Sequence, residues 1–112
     1  MYEYKAKVTR IIDGDTYEVD VSLGFGVTFT TKLRLNDLDT PETWRPKSEG
    51  ERVHGEAATS FVTELMLNRT ITIKTSKQGK YGRYVADVTL PNGDDLRSLL
   101  VENNFEKRDE YL

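Results

Sequence analysis

The sequence contains no cysteine, which removes disulfides, thiolate metal sites and a cysteine nucleophile together and leaves the redox compartment unspecified. Stability has to come from packing. It holds a single histidine, His54, at the start of an expected helix, so a zinc site lacks the His or Cys partners it needs. No stretch is apolar for long enough to span a bilayer. The N-terminus alternates Tyr2, Tyr4, Ala6 and Val8 with Glu3, Lys5, Lys7 and Thr9 and has no signal-peptide run. A soluble protein without a membrane partner is expected, cytoplasmic if the chain is complete and secreted if it is a processed form. Overall positive charge is absent as well, the formal net charge being -3. Its distribution is uneven, however. Arg69, Lys74, Lys77, Lys80 and Arg83 follow one another with no acid between them, whereas acids outnumber bases from residue 84 onward. The basic segment can steer a polyanion, or it can be an ordinary solvated hairpin.

What remains suits one domain over residues 1–112, since a chain of 112 residues buries roughly two-thirds of its unfolded surface. Strands are expected from alternation at Tyr2 to Thr9 and again at Tyr17, Val19, Val21 and Leu23. Between them Asp13-Gly14-Asp15-Thr16 reads as a tight hairpin turn, with Gly14 free to take positive φ. Val27, Phe29, Thr31, Leu33 and Leu35 mark a third strand whose opposite face carries Arg34. Thr43 to Gly50 reads as a loop, and Ala58, Phe61, Val62 and Leu65 give a helical stripe from about Arg52 to Leu67. Ile71 and Ile73 mark a fourth strand ending near Thr75, followed by a basic turn from Ser76 to Tyr81. Tyr84, Ala86, Val88 and Leu90 mark a fifth, and Asp94 to Asn103 a short helix, before a charged tail expected to fray from Glu106. The expected fold is mainly β with helices. It is a five-stranded, antiparallel OB-type Greek-key barrel with a helix between strands 3 and 4 and a short C-terminal helix, and a split α+β sandwich is the alternative.

The stretch from Arg34 to Glu42 collects charges that no core accepts unpaired, and Pro41 restricts both its own φ and the conformation of Thr40. Asp15 and Asp39, at strand ends, can supply two carboxylates to a hard divalent cation with a backbone carbonyl as a third ligand, which suits calcium and not zinc. Arg34 and Arg83 can donate in bidentate fashion to a phosphodiester as its charge builds. Glu42, three residues beyond Asp39, can orient or deprotonate a water. A polar loop after an edge strand is the plain alternative for the same residues.

Four pieces in order, Val8-x-Arg10-x-Ile12-Asp13-Gly14-Asp15-Thr16, Arg34-Leu35-x-x-Leu38-Asp39-Thr40-Pro41-Glu42, Gly55-Glu56-Ala57 and Lys80-Tyr81-Gly82-Arg83, resemble the staphylococcal nuclease (thermonuclease-like) family over roughly residues 4 to 105. The resemblance implies a calcium-dependent nuclease that cuts single-stranded DNA and RNA at the 5'-oxygen and leaves 3'-phosphates. It implies Asp15, Asp39 and the Thr40 carbonyl as metal ligands, Glu42 as the base or water-ordering carboxylate, and Arg34 and Arg83 as the phosphate clamp. Lys80 and Tyr81 take the place of residues that hold the nucleotide's terminal phosphate. The chain is expected to act as a monomer. Its acidity departs from the family's best-known member, so weaker and more salt-dependent binding of polyanions is expected. The alternative is a non-catalytic OB-fold module that binds nucleic acid or protein.

Overall fold

The computed structural model describes residues 2–78 and 83–111. Its elements are β1 (Tyr2–Asp13), β2 (Thr16–Ser22), β3 (Thr28–Leu35), α1 (Glu49–Met66), β4 (Thr70–Gln78), β5 (Tyr84–Thr89) and α2 (Leu96–Glu102). The five strands close into a barrel in the order β1-β2-β3-β5-β4, so most of the sheet has no free edge. Not every pair is antiparallel, as the alternation had suggested. β3 and β5 run parallel, with Leu33 opposite Tyr84, Arg34 opposite Val85 and Leu35 opposite Ala86. Parallel neighbours need a long crossover, and α1 with β4 supplies it. Among the described residues no helix is long and apolar enough to cross a membrane.

The period-2 pattern seals the interior: Val8, Tyr17, Val19, Leu33, Ile71 and Val88 are buried. Tyr17 satisfies its hydroxyl there by donating to the Gly14 carbonyl. β3 keeps the expected alternation only in its second half. Thr28 to Thr31 pair with β2 alone, because β5 joins the sheet only at Leu33, and Phe29 is therefore exposed. β4 runs on to Gln78, with a register shift between Thr75 and Lys77, through much of the segment expected to turn.

α1 starts at Glu49, ahead of the expected Arg52, because Ser48 caps it and accepts a hydrogen bond from the Glu51 amide at 3.1 Å. Its inward face is Gly55, Ala58, Val62 and Met66, with Phe61 and Leu65 packed half-buried beside it. α2 is shorter than expected, capped by the Asp95 carboxylate, and buries Leu96 and Leu100. The charged tail is tied back to the site loop at one point: the Lys107 amide donates to the Asp39 carbonyl at 2.8 Å.

Candidate active site

The Arg34 guanidinium organises the loop that leaves β3. Its Nη1 donates to the carbonyls of Leu35 at 2.9 Å and Leu38 at 2.6 Å, which closes the chain into a turn. Asp37 sits in that turn at φ 57, a left-handed conformation that aspartate tolerates better than most residues. The turn returns Leu38 to the core and carries Asp39 back over the end of β3. There Arg34 Nη2 lies 3.3 Å from Asp15 Oδ2 and also pairs with Asp39 Oδ1. One guanidinium nitrogen thus holds two carboxylates that are distant in sequence.

Asp15 is buried and almost fully engaged. Its Oδ2 accepts from the Thr40 amide at 2.9 Å and its Oδ1 from the Thr16 hydroxyl at 3.0 Å, while its backbone carbonyl accepts from Leu35 N–H at 2.9 Å. Asp39 is different, its side chain remaining 75% exposed. It lines a cleft of about 710 Å³ together with Arg34, Lys47, Val85 and Lys107. Asp13 accepts from the Thr43 hydroxyl. Burial raises its carboxyl above the ordinary value, the Thr43 bond opposes that rise, and the charge of Asp15 reinforces it. Partial burial raises Glu42 too, followed by repulsion from Asp13 and Asp15, with Lys107 opposing. Carboxylates therefore crowd this corner beyond what its nearby cations offset.

Behind the loop stands Glu51, 1% exposed. Its Oε1 accepts from the Lys47 amide at 2.8 Å, its Oε2 accepts weakly from the Glu42 amide at 3.4 Å, and Lys107 Nζ lies 3.4 Å from Oε2. The Lys47 bond, ahead of the other contacts, holds this carboxyl below its ordinary value although burial pulls the other way. Gly55 of α1 is the second support. A Cβ there would stand 2.8 Å from both the Pro41 and the Glu42 carbonyl oxygens, so the helix touches the loop backbone directly. Gly14 plays a similar part instead of taking positive φ. A Cβ on it would meet Thr40 Oγ1 at 2.9 Å and Ala58 Cβ at 3.1 Å. His54 and Tyr111 latch the tail: His54 Nε2 must donate to the Asn104 carbonyl at 2.7 Å, leaving Nδ1 to accept from the Tyr111 hydroxyl at 2.7 Å.

Of the residues singled out in the sequence, Asp15, Arg34, Asp39 and Thr40 meet in direct contact, and Glu42 lies near enough to feel Asp13 and Asp15. Arg83 precedes β5, two residues before Val85, the register partner of Arg34. Lys80 and Tyr81 lie outside the described residues. The sequence reading missed Glu51 and Lys107 as loop supports. Ser48-x-x-Glu51 matches the capping-box pattern and was the available signal for Glu51, whereas nothing local marked Lys107. Among the described residues no group of three or more His, Cys, Asp or Glu side chains is arranged to hold a metal ion. The donors at this corner are nevertheless all oxygen and in excess of cations, which fits a hard divalent ion and not a soft one.

A family model described as staphylococcal nuclease homologue matches residues 32–107, the span that holds the end of β3, the Arg34 loop, α1, β4, β5 and α2. Endonuclease YhcR of Bacillus subtilis (strain 168) is 33% identical over 110 residues, covering 92% of this chain and 9% of that protein. Thermonuclease of Staphylococcus hyicus is 36% identical over 90 residues, covering 79% of this chain and 50% of that protein. Thermonuclease of Staphylococcus intermedius is 33% identical over 91 residues, covering 80% and 49%. The chain thus spans half or less of the length of each of these relatives. With the matched span covering more than half of the chain and taking in the whole Arg34 loop, the chain belongs to the staphylococcal nuclease homologue family.

Proposed function

We propose that this chain is a metal-dependent phosphodiesterase that hydrolyses single-stranded DNA and RNA. The observation that carries the reading is the shared hold of Arg34 Nη2 on Asp15 and Asp39, on a loop that also leaves Glu42 exposed to solvent. That is a charged, preorganised corner facing solvent, of the kind phosphoryl chemistry requires. Family membership supports it, as does the likeness to an endonuclease and to thermonucleases.

In this reading Asp15, Asp39 and the Thr40 carbonyl hold a hard divalent cation, calcium first, whose charge offsets that of the phosphate. Glu42 orients a water for in-line attack and takes its proton, a task helped by a carboxyl raised above the ordinary glutamate value. Arg34 and Arg83 donate to the non-bridging oxygens as the fifth bond to phosphorus forms. The water oxygen becomes part of a 3'-phosphate, while the bond from phosphorus to the 5'-oxygen breaks and that oxygen leaves with a proton. Lys80 and Tyr81 hold the nucleotide's terminal phosphate.

The test is to incubate the protein with labelled single-stranded DNA and RNA in calcium, magnesium or chelator and to analyse the fragment ends. Cleavage that needs a divalent ion and leaves 3'-phosphates is expected. Binding without cleavage in every metal would give the chain to the non-catalytic alternative.

A further inference from the structure

At the end of the barrel where β2 turns into β3, large apolar side chains face solvent. Leu23 is 48% exposed, Val27 54%, Phe29 44%, Tyr2 71% and Phe25 105%. At about 150–250 Å² for each aromatic side chain, this face offers on the order of 600 Å² of apolar surface, the upper end of what a monomer usually shows. Phe25 stands at the tip of a turn in which Gly24, Phe25 and Gly26 all have positive φ, at 82, 55 and 74°. The Leu23 amide donates to the Val27 carbonyl at 2.9 Å, and the Val27 amide to the Gly24 carbonyl at 2.9 Å, so the tip is fixed. A phenyl ring is thus held outward at a backbone conformation unfavourable for phenylalanine.

Beside this knob is a hole. Tyr2, Tyr4, Leu23, Phe29, Thr31 and Tyr84 line an apolar pocket of about 270 Å³, larger than the roughly 150 Å³ that accepts a benzene in a protein interior. It shares no lining residue with the Arg34 cleft. Among the described residues its lining carries no charged side chain, so it lacks the positive charge a polyanion would prefer.

We propose that this face pairs two copies of the chain in an isologous two-fold dimer, the Phe25 of each copy entering the aromatic pocket of the other. Knob and hole on one surface are what a two-fold contact uses, since the same patch serves both sides. Two such faces together bury on the order of 1,200 Å², the lower bound for a specific interface, so the dimer is reversible and concentration-dependent. The contact replaces the monomer expected from the sequence and does not depend on the nuclease reading.

Sedimentation equilibrium from about 1 µM to 1 mM is the test. Wild type should pass from monomer to dimer, and Phe25→Ser, which touches no core residue, should raise Kd at least about tenfold with an unchanged melting curve. Thr31→Trp, which fills the pocket from inside, should do the same. A mixture of the two variants should recover hetero-association, one supplying the ring and the other the pocket. A wild type that stays monomeric throughout, or a Phe25→Ser protein that dimerises as well as wild type, overturns the proposal. So does a Phe25→Ser protein whose only defect is weaker binding of single-stranded oligonucleotides.

Discussion

Replacing Gly55 with alanine separates positioning of the loop from stability of the fold. Alanine is the better helix former, by about 1 kcal/mol in a helix interior, and on α1 alone the variant should gain. The added Cβ, however, would lie 2.8 Å from the Pro41 carbonyl, 2.8 Å from the Glu42 carbonyl and 3.0 Å from the Glu42 carbonyl carbon. Each oxygen is roughly 0.6 Å inside the 3.4 Å at which ordinary contact begins, and all three atoms are backbone, so no rotamer change relieves the overlap. Overpacking of this kind costs about 1–3 kcal/mol, which the helix gain partly offsets, leaving a net loss of about 2 kcal/mol or less. Activity should respond more strongly. Relief requires the Pro41-Glu42 backbone to retreat from α1, carrying the Glu42 carboxylate with it, and displacement near 1 Å at a reacting group costs about 10²-fold. Thermal melting and oligonucleotide cleavage on the same preparation decide the matter. A Gly55→Ala protein that melts higher than wild type and cuts at the wild-type rate would refute the claim that this contact places Glu42.

Glu51→Gln should lose about 1–3 kcal/mol, because an amide cannot accept from Lys47 and Glu42 and also attract Lys107. The folded state lowers the Glu51 carboxyl below 4.5. Its contribution is therefore complete above that pH and disappears as pH falls through the lower folded value. Urea midpoints of wild type and Glu51→Gln measured from neutral pH downward should accordingly converge in acid and stay apart above 4.5. Gly14→Ala should destabilise by about 1–3 kcal/mol, since its Cβ would press Thr40 away from Ala58; an unchanged melting temperature would show that turn to be loosely packed. Tyr111→Phe should cost about 1 kcal/mol through loss of the His54 and Arg108 bonds, and limited proteolysis should then cut the tail sooner.

Much of the barrel was legible because β-strands that bury one face write a period of two into the sequence, as Val8, Val19 and Ile73 do. Which strands become neighbours is set by closure, which no single strand records, so the parallel register of Arg34 with Val85 was out of reach. Phe29 misled for a related reason: alternation implies a buried face only where something covers it, and at that point β3 has β2 alone beside it. The gathering of Asp15, Arg34, Asp39 and Thr40 could be anticipated from charge that a core would refuse. Glu51 and Lys107 were harder. A carboxylate in the first turn of a helix normally serves the helix itself, and a lysine in an acidic tail normally serves the solvent. Only the folded chain brings that lysine onto a buried carboxylate and the Asp39 carbonyl, turning an expected loose end into a clasp over the cleft.

The central claim is that this charged corner performs chemistry and does not merely hold the loop, and Glu42 tests it best because its side chain takes part in no hydrogen bond or ion pair among the described residues. Single-turnover cleavage of a labelled single-stranded oligonucleotide in calcium should fall at least about 10²-fold in Glu42→Gln, with the melting temperature unmoved. Equal rates for wild type and variant would contradict the account.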